Sequence, residues 1–140
     1  MAELTGIAAG LAAEHALIYA YGVAGAQIRD KSARSLAATA EQSHRDLRDA
    51  LTEHLSAVGV EPPSAEAGYT LPTPVTNEDE ATALLAGLET AATTIWRTAT
   101  GVSGPDDRRR CVAALANAAT QAARWRAIRG DKTTAPFPGA

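Results

Sequence analysis

Ile7, Leu11, Glu14, Ile18, Tyr21, Gly25 and Ile28 recur at alternating steps of four and three, which places them on one seam of a first helix. One member, Glu14, is a carboxylate on an otherwise apolar line and asks for a physical reason. The polar run Arg29-Asp30-Lys31-Ser32 breaks the pattern, and Asp30 or Ser32 can accept the free amides that open a second helix reaching about Val58. So short a connection makes the first two helices antiparallel neighbours.

Between 59 and 75 the pattern stops, and Pro62, Pro63, Pro72 and Pro74 forbid a continued helix. Roughly seventeen residues reach about 55 Å when extended, whereas a helix of about 26 residues is about 39 Å long. An end-to-end crossover that sets the third helix parallel to the second is therefore expected, with a folded-back loop as the competing arrangement. Thr76 or Asn77 caps the third helix, and Glu78, Asp79 and Glu80 suit the positive end of its dipole. Its seam is Leu85, Leu88, Ala92, Ile95 and Ala99, ending near Gly101. Gly104-Pro105-Asp106-Asp107 starts a fourth helix, whose seam of Leu115, Ala118, Ala119, Ala122 and Trp125 runs to a left-handed cap at Gly130. The predicted fold is all-α: a four-helix bundle over 1–130, built of two antiparallel hairpins joined by a long crossover, with a C-terminal tail over 131–140.

Composition agrees with helix: roughly a quarter of the residues are alanine, and aromatics are 4%. A net charge of -3 gives no cationic surplus for nucleic acid. The single cysteine, Cys111, cannot form an internal disulfide and is read as core filling. Met-Ala-Glu-Leu lacks the cationic start of a secretory signal, and charged residues or His interrupt each alanine-rich run. A cytoplasmic protein with no membrane partner and no nucleic-acid partner is expected, with a second copy in a homodimer as the partner. Tyr21, Trp96 and Trp125 are read as bundle filling, and Gly22 and Gly25 as sites of close helix contact. Arg108, Arg109 and Arg110 are read as a solvated face, with Arg124, Arg126 and Arg129 at the other end of the same helix.

The candidate chemistry lies on the seams. Glu14 and His44 are equidistant from the first turn, so antiparallel helices bring them to one height. Glu41 stands three residues before His44 on the same face of the second helix. Glu89 lies near the height of Glu41 if the second and third helices are parallel. These four residues, Glu14, Glu41, His44 and Glu89, are the candidate metal ligands, and Fe or Mn is the ion that oxygen and imidazole donors of this kind take. The competing arrangement is a buried hydrogen-bonded network without a metal, in which no cofactor is needed.

This pattern resembles the ferritin-like superfamily, which places one Glu on the first helix, Glu-x-x-His on the second, one Glu on the third and Glu-x-x-His on the fourth. Glu14, Glu41, His44 and Glu89 match the first three helices. On the fourth, Asn117, Thr120 and Gln121 stand where anions and imidazole belong. The segment Glu14-His15-Ala16-Leu17 and the alanine-rich layout also resemble an uncharacterised actinobacterial ferritin-like domain family, a domain of unknown function. The resemblance implies a ferritin-like bundle and carries over no settled activity; the neutral residues on the fourth helix point to a bundle without a complete di-iron site, a structural or protein-interaction module more than an enzyme. The alternative is a mononuclear Fe- or Mn-binding protein with a redox or storage role. A third class, an apolar ligand held between helices, requires a cavity.

Overall fold

The computed structural model describes residues 2–134 and 136–140, with side chains from Leu4 onward. Its elements are α1 (Ala2–Gly25), α2 (Lys31–Ala57), α3 (Glu78–Val102) and α4 (Pro105–Arg129), and no strand occurs among the described residues. Each start has the local chemistry that its sequence offers. Asp30 accepts from the Ala33 amide at 2.9 Å to open α2. Asn77 accepts from the Glu80 amide at 2.8 Å to open α3, while Glu80 returns to accept from the Thr76 amide at 2.7 Å. Pro105 occupies the first turn of α4, and Gly130 ends that helix with φ 75.

Contacts at the helix ends define the topology. The Asp30 amide donates to Glu78 at 3.0 Å, so α2 and α3 begin at the same end of the molecule and run parallel. Arg129 Nη1 at the close of α4 donates to the Asp79 carbonyl at 2.8 Å and to Thr82 Oγ1 at 3.0 Å at the start of α3. His54 Nε2 near the end of α2 lies 2.9 Å from Asp107 Oδ1 at the start of α4. The molecule is therefore a four-helix arrangement with an end-to-end crossover. That crossover lies on the outer side of α1: His15 Nε2 meets the Pro63 carbonyl at 2.9 Å, and the Tyr19 and Tyr69 rings are 5.4 Å apart. His15 thus fastens the connection at one backbone carbonyl.

The buried seam of α1 differs in detail from the expected one. Leu17 and Ala24 are buried where Ile18 and Gly25 were expected, and Ile28 is buried in the turn beyond the helix. The second helix ends at Ala57, with Val58 as its cap, 49% exposed. Trp96 and Trp125 are fully buried, as is Cys111, whose thiol lies 3.5 Å from Ser103 Oγ. Contrary to the expectation of no candidate span, Leu4–Gly25 is long and apolar enough by length and composition to cross a bilayer, with mean hydropathy 1.3. Half of that window is buried within the bundle, and it contains the fully buried Glu14.

Close helix contact falls at different glycines from those expected. Nothing lies within 4 Å of a Cβ added at Gly22 or Gly25. At Gly10 such an atom would sit 2.2 Å from the Trp96 ring, and at Gly6 it would sit 3.0 Å from the Ala99 Cα. The α1–α3 contact is consequently set by the absence of side chains at Gly6 and Gly10. Gly10→Ala is expected to destabilise by about 1–3 kcal/mol through overpacking. Gly22→Ala, in open helix, should instead stabilise by about 0.5–1 kcal/mol. Denaturant unfolding of the two variants checks both signs.

Candidate functional site

Burial makes the centre of the bundle a costly place for charge, yet Glu14, His44 and Glu89 are all fully buried there. They come from α1, α2 and α3 and compensate one another. His44 Nδ1 makes a short hydrogen bond with Glu14 Oε2, and His44 Nε2 meets Glu89 Oε1 at 2.5 Å. The other oxygen of Glu14 accepts from Trp96 Nε1 at 3.0 Å. Glu89 Oε1 also accepts from the Tyr21 hydroxyl at 2.8 Å, and Tyr21 accepts in turn from Trp125 Nε1 at 2.8 Å. One connected chain of polar groups, Trp96–Glu14–His44–Glu89–Tyr21–Trp125, thus draws on all four helices. The Tyr21 ring lies 5.6 Å from the imidazole and 6.2 Å from the Trp125 ring, which closes the site with aromatic surface.

The electrostatics follow from this geometry. Burial pulls the His44 pKa down, but hydrogen bonds to Glu14 and Glu89, joined by the charges of both, overcome it and lift the imidazole from 6.5 to about 10. His44 is therefore an imidazolium at neutral pH, with both ring nitrogens donating. Burial raises the Glu89 carboxyl above its ordinary range, against the lowering pull of His44 and Tyr21. The Tyr21 phenol is held far above its usual value, by burial first and by the Glu89 charge second, and so remains a neutral donor. Glu89 Oε2 has no hydrogen-bond partner among the described residues.

Three of the four candidate ligands are brought together, and Glu41 is not. Its half-buried side chain pairs with Arg45 Nη2 at 3.2 Å along α2. Glu89 meets His44 and not Glu41. On α4, Asn117 Oδ1 accepts from Ser43 Oγ at 3.2 Å, Thr120 is exposed, and Gln121 is buried with Oε1 unpartnered among the described residues. The donor set does not fit an Fe or Mn ion. Each ring nitrogen of His44 is already engaged by a carboxylate oxygen, and a single free oxygen on Glu89 is too few donors. Among the described residues no group of three or more His, Cys, Asp or Glu is arranged to hold a metal.

The residues that reading the sequence left out of the site are Tyr21, Trp96 and Trp125. Their signal was present: Tyr21 is seven residues from Glu14, Trp96 is seven from Glu89, and a buried indole or phenol requires a partner for its polar end.

An all-α bundle organised about a buried glutamate–imidazolium–glutamate clamp is the class that fold and site define. The chain belongs to the family described as domain of unknown function (DUF4439), whose model matches residues 6–140. It is similar to the crystal structure of a conserved hypothetical protein, rv2844, from Mycobacterium tuberculosis. The two are 36% identical with a TM-score of 0.86, over 91% of this chain and 96% of that one. The comparison with curated proteins finds no match.

Removing the cation leaves two buried carboxylates facing each other. His44→Gln is expected to cost about 3–5 kcal/mol in urea unfolding. Glu41→Gln, on the flank of the same helix, should stay within about 0.5 kcal/mol of the parent. The sign of the pH effect follows from a folded-state pKa above the unfolded one. The stabilisation by protonated His44 is fully present below 6.5, declines as pH rises, and is lost through about 10. Unfolding free energies between pH 6 and 11 should show that decline in the parent chain and lack it in His44→Gln.

Proposed function

We propose that this protein is a ferritin-like bundle whose interior is held by a proton instead of a metal, and that it works as a structural or protein-interaction module. The observation that carries the reading is the double engagement of His44: Nδ1 with Glu14 and Nε2 with Glu89. A ligating histidine needs one nitrogen lone pair for the ion, and metal sites usually hold the second nitrogen with a neighbouring acceptor. Here both nitrogens are held by acceptors. The substitution of chemistry on α4 supports the same view, since Asn117 is committed to Ser43 and Thr120 faces outward.

The connected polar chain also suits a scaffold. Six side chains from four helices are mutually oriented by directional bonds, so the relative rotation of the helices is specified more narrowly than by alanine packing alone. A surface carried by such a bundle keeps a defined shape for a partner.

The reading is tested by preparing the protein without chelator, incubating it with Fe(II) or Mn(II), removing free ion and measuring bound metal. Substoichiometric retention is expected, with ¹⁵N shifts of the His44 ring that correspond to two protonated nitrogens before and after incubation. One tightly held ion per chain, lost in both His44→Ala and Glu89→Gln, would overturn the reading.

A further inference from the structure

We propose that a half-open cavity between α3, α4 and the C-terminal segment is a binding site for a small organic anion, an acidic head group on an apolar body. The cavity has a volume of about 580 Å³. That is within the roughly 300–1,000 Å³ common for small-molecule sites. It shares no residue with the Glu14–His44–Glu89 cluster, so the inference stands apart from the proposed scaffold role.

The chemistry of the walls selects the ligand class. Ala119, Ala122 and Ala123 on α4 give an apolar floor, and Thr90 and Thr93 on α3 add hydroxyls along one side. Arg124 and Arg126 supply the charge. Neither forms an ion pair with a carboxylate among the described residues, and no Asp or Glu lines the cavity. Arg126 Nη2 donates to Thr90 Oγ1 at 2.6 Å, which orients the guanidinium across the α3–α4 groove. Two arginines at one concave place outnumber the single terminal carboxylate of Ala140 that also lines it, and on a chain of net charge -3 they make a local field that favours an anion.

The opposite wall is built by the chain itself. Gly139 takes φ +80 and lies so close to α3 that an added Cβ would be 2.4 Å from the Thr93 carbonyl oxygen and 2.9 Å from Arg97 Cβ. Only glycine allows that seating, because both the backbone angle and the space exclude a side chain. The Ala140 amide donates to the Phe137 carbonyl at 3.0 Å and closes a turn there, while Phe137 itself is 76% exposed. An apolar ring at the mouth and arginines at the edge suit a ligand with an apolar body and one acidic group.

The test uses the full chain and two fluorescent probes that share a ring frame, anilinonaphthalene sulfonate and the uncharged N-phenylnaphthylamine. Saturable one-to-one binding of the sulfonate is expected, with amide shifts centred on Thr93 and Ala123. The uncharged probe should bind about tenfold more weakly. Arg124→Gln, alone and with Arg126→Gln, should weaken the sulfonate toward the uncharged probe. Gly139→Ala should weaken both probes by displacing the wall, with the helical circular dichroism unchanged. Non-saturable uptake of the sulfonate, equal affinity for the two probes, or arginine variants that bind within twofold of the parent would overturn the proposal.

Discussion

The bundle depends on one electrostatic constraint: a histidine cation at its centre, out of reach of water, must be compensated there by carboxylates. Glu14 and Glu89 supply the compensation from two different helices, and each then has an oxygen that needs a further donor or a proton. The indole of Trp96 satisfies one such oxygen, and the phenol of Tyr21 strengthens the other carboxylate while being oriented by Trp125. Low dielectric makes the paired bonds strong and makes Glu89 Oε2, which has no partner among the described residues, the costly atom of the network, in keeping with the raised proton affinity of that carboxyl. The four helices are thus locked in rotation by polar chemistry at a level where alanine side chains alone specify little.

That chemistry has a packing precondition. The Trp96 nitrogen can reach Glu14 only if its ring lies flat against α1, and the ring occupies the space where a residue other than glycine at position 10 would place its Cβ. Gly6 lets the next turn of α3 approach at Ala99 in the same way. Two small residues on α1 therefore determine the distance between helices, and that distance fixes whether a buried acid finds its donor. Gly22 and Gly25, similar in sequence, border open space and carry no such duty.

Much of this was legible in the sequence because it is local. Caps at Asp30, Asn77 and Gly130 and the proline breaks are chemical events within a few residues, and each helix boundary lies within three residues of its expected place. Equal distance from a short turn also brought Glu14 and His44 to one height correctly, since antiparallel neighbours leave little freedom. Glu41 fell out for a reason of angle: the buried line of α2 runs Ala33, Ala37, Ala40, His44, and Glu41 is one residue past Ala40, rotated by about 100° onto the flank. In an alanine-rich bundle the seam is narrow, so a spacing of three does not guarantee a shared interior face. Glu89 meets His44 and the α1 residue Tyr21, so its partners come from two helices at once. Which of Leu17 and Ile18 turns inward is likewise a matter of helix rotation, which depends on all the partners at once.

The neutral character of the middle of α4 follows from the same charge balance. Two divalent ions call for several carboxylates, whereas a single imidazolium is already matched by Glu14 and Glu89, one of them with its affinity for protons raised by burial. A further acid at Asn117 or Gln121 would add a buried negative charge with no cation to meet it. The acids of α4 are accordingly confined to Asp106 and Asp107 in its first turn, where the helix dipole favours them, and its central turns carry amide, hydroxyl and methyl groups. Seen this way, the chemistry of α4 and the protonation of His44 are a single feature: the charge at the centre sets how many acids the surrounding helices can hold.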